Sequence, residues 1–190
     1  MMQDDEYESF LDNVSDITKF ETLFTNETDR GCALLAASIL DFELSILLKK
    51  SFVSNYKVNK KILSPNGPLG TFSSKIDICY ALGHFPKEDY NKMHTIRNIR
   101  NQFGHSIEAL NFNIPSISHQ IKSVALPNLS DTGTYREMFI DTINKLLIQT
   151  HVASLLASKS FEPEHFDINP KEYVEETKKK QLLKQQENGG

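Results

Sequence analysis

The segment Arg97-Asn98-Ile99-Arg100-Asn101-Gln102-Phe103-Gly104-His105 concentrates the side chains of this chain best suited to chemistry. A histidine moves protons near neutral pH, and a guanidinium holds a phosphate through paired hydrogen bonds while stabilising the negative charge that builds during reaction. On a helix, Arg97, Asn101 and His105 follow one face, Arg100 lies on the adjoining stripe, and Ile96, Ile99 and Phe103 take the apolar side. Unwinding at Gly104 swings His105 back toward Arg100 and Asn101. The result is a compact Arg/Asn/His site able to cleave a phosphodiester with no metal and no cofactor. The same residues also serve architecture: cationic and polar side chains at a helix C-terminus satisfy its last carbonyls and complement its dipole.

Two acids bear on that segment. Asp41 and Glu43 lie within an otherwise apolar stretch, and a buried carboxylate needs a cationic partner. Arg97 or Arg100 is the expected partner, with the acid orienting the guanidinium; the alternative is that either acid faces solvent. His84, His94, His119, His151 and His165 are dispersed without metal-ligand spacing and read as surface or helix-flanking residues. Cys32 and Cys79 sit inside apolar periodic segments, which argues against a disulfide framework or a zinc site. Tyr80 and Tyr90 are expected at the core edge with their hydroxyls toward solvent.

The elements that must position these residues are helical. Thr28-Asp29 offers an N-cap for a long segment from Arg30 to about Ser54, with Leu34, Leu35, Ile39, Phe42, Ile46 and Leu47 recurring three or four residues apart. Ser64-Pro65-Asn66-Gly67-Pro68-Leu69-Gly70 cannot be helix or central strand and reads as a corner that aims the following helix, Thr71 to Leu82, which stops at Gly83. Pro86 stands at the first position of a further helix running to Gly104, with Glu88 and Asp89 in its first turn. Residues 107–132 read as an irregular connection with room for a short strand or a helical turn. Thr134 to about Ser160 forms the second long helix, and Asn169-Pro170 starts a charged tail helix. The expected fold is all-α: a helical bundle with two long antiparallel core helices and shorter helices packed across them. Its parts are an acidic helical segment (1–28), a helical domain (29–165) and a charged helix or tail (166–190).

At 190 residues, with 39% hydrophobic and 24% charged side chains, one globular domain is expected. No stretch approaches 18 uninterrupted apolar residues, and the acidic start is the opposite of a basic signal-peptide n-region, so a cytoplasmic protein with no membrane contact is expected. The net charge of −4 argues against non-specific coating of nucleic acid, but it is unevenly spread. Residues 1–29 hold nine acids and one lysine, net −8, leaving 30–190 at +4. Between Glu43 and Asp77 stand Lys49, Lys50, Lys57, Lys60, Lys61 and Lys75 with no acid, which allows a local basic surface.

Five stretches carry a resemblance to a known family: Ala36 through Leu44, Asn66-Gly67-Pro68-Leu69-Gly70 with Thr71 through Ile76, Tyr80-Ala81-Leu82-Gly83, Arg97 through His105, and Val124 through Pro127. The chain resembles the mannitol operon repressor family over most of its length. That resemblance implies an all-α, cytoplasmic, bacterial negative regulator of sugar-alcohol uptake and metabolism genes. The family has no recognisable helix-turn-helix and none is evident here, so a protein-bound co-regulator stands beside direct DNA contact. Arg100 through His105 separately resembles the HEPN superfamily motif, an arginine followed four to six positions on by a histidine. It implies a metal-independent ribonuclease or toxin in which Arg100 and His105 are the catalytic pair, Asn101 supports them, and RNA is the substrate. A homodimer or hetero-complex is expected under either reading, since the acidic first helices and the polar tail leave amphipathic surface for a partner.

Overall fold

A computed structural model describes residues 23–24, 26–127, 133–157, 175 and 178–180. They form six helices and no strand: α1 Asp29–Ser51, α2 Tyr56–Leu63, α3 Phe72–Ala81, α4 Lys87–His105, α5 Pro115–Val124 and α6 Tyr135–Leu156. The all-α bundle is therefore the fold. The acidic segment 1–28 falls largely outside the described residues, as does the tail from 166 apart from helical residues at 175 and 178–180.

The helices begin where short polar side chains satisfy their first amides. Thr28 Oγ1 accepts from the Gly31 N–H at 3.0 Å, and Asn55 Oδ1 accepts from the Val58 N–H at 3.2 Å. Thr71 with Ser74 and Thr134 with Glu137 form reciprocal capping boxes on α3 and α6. The end of α3 is closed by Gly83 at φ +79°, with the His84 N–H donating to the Cys79 carbonyl and the Gly83 N–H to that of Tyr80. Only a residue without Cβ adopts that backbone freely.

Helix α1 is the centre of the core. Its buried residues, including Ala33, Ala36, Ala37, Leu40, Leu44, Leu47 and Leu48, cover about half of its circumference, and it packs against α6, α4 and α3. It is long and apolar enough to cross a membrane by length and composition, yet 56% of its apolar window is buried within the bundle. Helix α4 runs antiparallel to it. Arg30 at the start of α1 donates to the Ser106 and Glu108 carbonyls just past the end of α4, and Ser51 at the end of α1 meets His84 just before its start.

The second long helix runs opposite to the expected direction. Arg136, in the first turn of α6, is ion-paired with Asp29, in the first turn of α1, and also donates to the Phe24 and Glu27 carbonyls. Lys145, further along α6, reaches Asp89 near the start of α4 at 3.9 Å. Helix α6 is thus parallel to α1 and antiparallel to α4. The expected antiparallel pair is corrected because α4 and α5 return the chain to the N-terminal end of α1 before α6 begins.

Two further helices depart from expectation. Within 107–132, α5 is a regular ten-residue helix: Pro115 occupies its first turn, and Ile117, Ile121 and Val124 are buried at helical spacing. The proline starts this helix, where its fixed φ fits and its missing N–H has no partner to lose. Helix α2 occupies a stretch that core periodicity leaves unassigned, because none of its residues is buried. Lys49, Lys50, Lys57, Lys60 and Lys61 are all exposed at the C-terminal end of α1 and on α2, so the basic surface exists there; Lys75 is buried and turns inward.

The Gly-Pro loop is the corner that places α3. The Leu69 N–H donates to the Ile62 carbonyl at 3.0 Å and the Gly70 N–H to that of Gly67 at 3.0 Å, folding the segment tightly against the end of α2. A Cβ on Gly67 would fall on the Lys61 and Ile62 carbonyl oxygens, and one on Gly70 on those of Ser64 and Pro65. Backbone cannot yield as a side-chain tip can, so Gly70→Ala is expected to destabilise by about 1–3 kcal/mol. Gly104 differs: its Cβ would meet nothing nearer than Leu34 Cδ2 at 3.7 Å, and it lies inside a helix. Gly104→Ala is expected to stabilise by about 0.5–1 kcal/mol. Urea unfolding of both variants checks the pair, and equal midpoints would contradict the assigned packing.

Candidate functional site

Three helices surround a polar cleft of about 380 Å³. Helix α1 contributes Ala37, Ser38 and Asp41; the corner and the start of α3 contribute Gly70, Thr71, Phe72 and Ser73; and α4 contributes Arg97, Arg100 and Asn101. Ala37 adds only a methyl group to the lining, and Gly70 lets the corner close on its own Ser64 and Pro65 carbonyls. The first turn of α3 opens toward this space, and the N–H groups of Phe72 and Ser73 have no intrahelical acceptor.

The charges are arranged unevenly. Asp41 is held by Lys75 Nζ at 2.9 Å, and Lys75 is buried. Among the described residues, neither Arg97 nor Arg100 has a carboxylate within ion-pair distance. Arg97 donates to Asn98 Oδ1 at 3.1 Å and Arg100 to Asn101 Oδ1 at 3.0 Å, while Arg97 Nε is buried without a partner. The acid is neutralised and the two guanidinium charges are not, so the cleft is electropositive.

Of the residues singled out in the sequence, Asp41, Arg97, Arg100 and Asn101 converge here. His105 does not. Helix α4 stays helical through His105, which is exposed and outside the cleft, so the expected unwinding at Gly104 does not occur. Phe103 anchors the last turn in the core against Phe112, ring centroids 5.3 Å apart, and Arg30 satisfies the carbonyls just beyond it. Five residues of continuous helix send the Arg100 and His105 side chains roughly 140° apart.

Glu43 is also elsewhere, two residues and so about half a turn round α1 from Asp41. The expected partner of Asp41 is corrected too. Lys75, in the second turn of α3, takes it because that ammonium is itself buried and needs a counter-ion. Glu43 is buried with no ion pair among the described residues; burial pushes its carboxyl up to about 7 against a partial opposing pull from Lys50.

A polar line leading away from the cleft had no counterpart in the sequence reading. Asp77 Oδ1 accepts from the Tyr90 hydroxyl at 3.1 Å and lies 2.9 Å from His94 Nε2. The Asp77 hydrogen bond holds the Tyr90 phenol above its ordinary value. The spacing Tyr90, His94, Arg97 is a helical stripe that could have signalled it. The thiols of Cys32 and Cys79 are free and buried, pushed up by burial to about 11 and about 12, which leaves them unreactive.

Two outcomes follow. The raised Glu43 carboxyl weakens the folded state as pH rises from about 4.5 to about 7, where the unfolded chain is ionised and the folded one resists it. Glu43→Gln should therefore unfold like the wild type below that window and be more stable above it by up to about 3 kcal/mol. Thermal melts across pH check this, and a variant less stable at pH 8 contradicts it. For His105, a proton donor must lie within hydrogen-bond reach of the group that Arg100 binds. RNA incubated in EDTA with wild type or His105→Ala is expected to remain intact in both; cleavage lost in the variant would overturn that reading of the geometry.

A search of curated proteins found no match to the chain. Among solved structures, the chain is similar to the X-ray structure of the MtlR–HPr complex from Escherichia coli, with a TM-score of 0.50 and 17% identity, covering 74% of this chain and 96% of that one. At that identity the likeness is one of fold. A family model described as mannitol repressor matches residues 14–184, which take in α1 to α6 together with the corner and the cleft. The chain belongs to the mannitol repressor family.

Proposed function

We propose that this protein regulates mannitol-operon genes by binding a protein partner of the HPr kind in the cytoplasm, as a co-regulator. The observation that carries the reading is the family match over residues 14–184. Its support is the fold shared with nearly the whole of a chain solved in complex with HPr. The physical character of the chain agrees. A net charge of −4 does not favour sequence-independent binding to DNA phosphates, whereas a rigid helical bundle with separate acidic and basic regions suits a protein surface.

The test is direct. Isothermal titration of the purified chain with HPr from the same organism is expected to give saturable binding with Kd of about 10 µM or tighter. Deletion of the gene is expected to raise transcripts of the mannitol operon. Absence of binding heat with both proteins at about 100 µM would overturn the partner, and unchanged transcripts would overturn the regulatory role.

A further inference from the structure

The two arginines of the cleft present an unusual balance. Guanidinium groups at the surface ordinarily lie against water or a nearby carboxylate, and Asp41 lines the same cleft. The protein nevertheless commits that carboxylate to Lys75, one turn further along α3, and leaves Arg97 and Arg100 with only a neighbouring amide oxygen each. Arg97 Nε is both buried and unpartnered, and a donor removed from water without an acceptor is costly unless something arrives to accept from it.

The other donors around the cleft complete the pattern. Ser38 and Thr71 spend their hydroxyl protons internally, on the Leu34 carbonyl and on Ser74. The Ser73 side chain makes no hydrogen bond within the described residues, and the Ser73 backbone N–H with that of Phe72 forms the open first turn of α3, where a helix favours negative charge. Two planar forks, two backbone amides and one free hydroxyl thus edge the same space. The protein's side-chain acceptors Asp41 and Asn101 Oδ1 are already engaged there, by Lys75 and by Arg100.

We propose that this cleft is a binding site for a small phosphomonoester, its dianionic phosphate held by Arg97, Arg100 and the first turn of α3. Three features select that chemistry. Bidentate guanidinium contacts match the geometry of tetrahedral oxyanions, and two of them match a double negative charge. A volume of about 380 Å³ holds a phosphate with a short organic body, at the low end of small-molecule pockets. The lining also includes the apolar residues Ala37 and Phe72, which such a body can meet. The site stands on the cleft geometry alone, so its test is separable from binding of HPr.

The probes are inorganic phosphate and glycerol 3-phosphate, with glycerol and sulfate as controls, titrated calorimetrically into the full chain at fixed ionic strength. Glycerol 3-phosphate is expected to bind saturably and more tightly than phosphate or sulfate, and glycerol not to bind. Arg97→Gln and Arg100→Gln are each expected to weaken it about tenfold or more. Lys57→Gln, on exposed α2 away from the cleft, is expected to leave it unchanged. Circular dichroism confirms that the variants fold, and Ser73→Ala supplies a milder lesion with a smaller loss. No binding at about 10 mM, equal binding by the arginine variants, or a loss equally large in Lys57→Gln would each overturn the proposal.

Discussion

Helix α1 is apolar over most of its circumference, and α3, α4 and α6 close over its buried half. Its alanines, Ala33, Ala36 and Ala37, let neighbouring backbones come close, while Leu40, Leu44, Leu47 and Leu48 fill the space between them. A helix of that composition tolerates few polar side chains, and a buried charge it carries is costly unless a neighbour pairs with it. Asp41 is resolved by Lys75, and this pairing sets the rotational position of α3 on α1. The start of α3, the Gly-Pro corner behind it and the arginines of α4 then meet at one place. The cleft is thus a consequence of how a single carboxylate in the core helix finds its counter-ion.

A second clasp holds the other end. Bringing α1 and α6 together with their N-termini adjacent places two positive helix ends side by side, which is unfavourable on its own. The Asp29 carboxylate lies at that junction. It pairs with Arg136 and accepts from the Phe112 N–H at 2.8 Å, while Arg136 also binds the Phe24 and Glu27 carbonyls. One acid therefore offsets the dipoles of two helices and ties down the loop between α4 and α5. The aromatic run Phe103, Phe112 and Phe139 packs beneath this junction, with ring centroids about 5 Å apart.

The cleft and the clasp use the same chemistry to opposite ends. At the clasp every charge has its partner, which gives rigidity. At the cleft the acid is satisfied from behind and the arginines face open space, which leaves capacity for a ligand. Family membership accounts for the fold and the regulatory setting; the unbalanced charge is what this chain's own residues add to that setting.

What could be read from the residues alone was whatever depends on neighbours in sequence. Thr28, Thr71 and Thr134 announce their helices because a cap is satisfied within three residues, and Gly83 ends α3 for an equally local reason. The Gly67–Gly70 corner is legible because prolines and glycines exclude everything else. The stretch 107–132 misled, since Pro115 within it begins a helix rather than breaking one. The converging set Arg97, Arg100 and Asn101 was visible from spacing along one helix, whereas His105 was assigned to it only through an unwinding that core packing of Phe103 prevents. The direction of α6, the choice of Lys75 over an arginine for Asp41, and the line from Tyr90 through Asp77 to His94 belong to the tertiary structure. They rest on pairs 107, 34 and 13–17 positions apart, and which of several cations or donors arrives at a given carboxylate is decided by how the helices close over α1. Local propensity determined the helices and their ends; burial of the central helix decided which charges were left to meet.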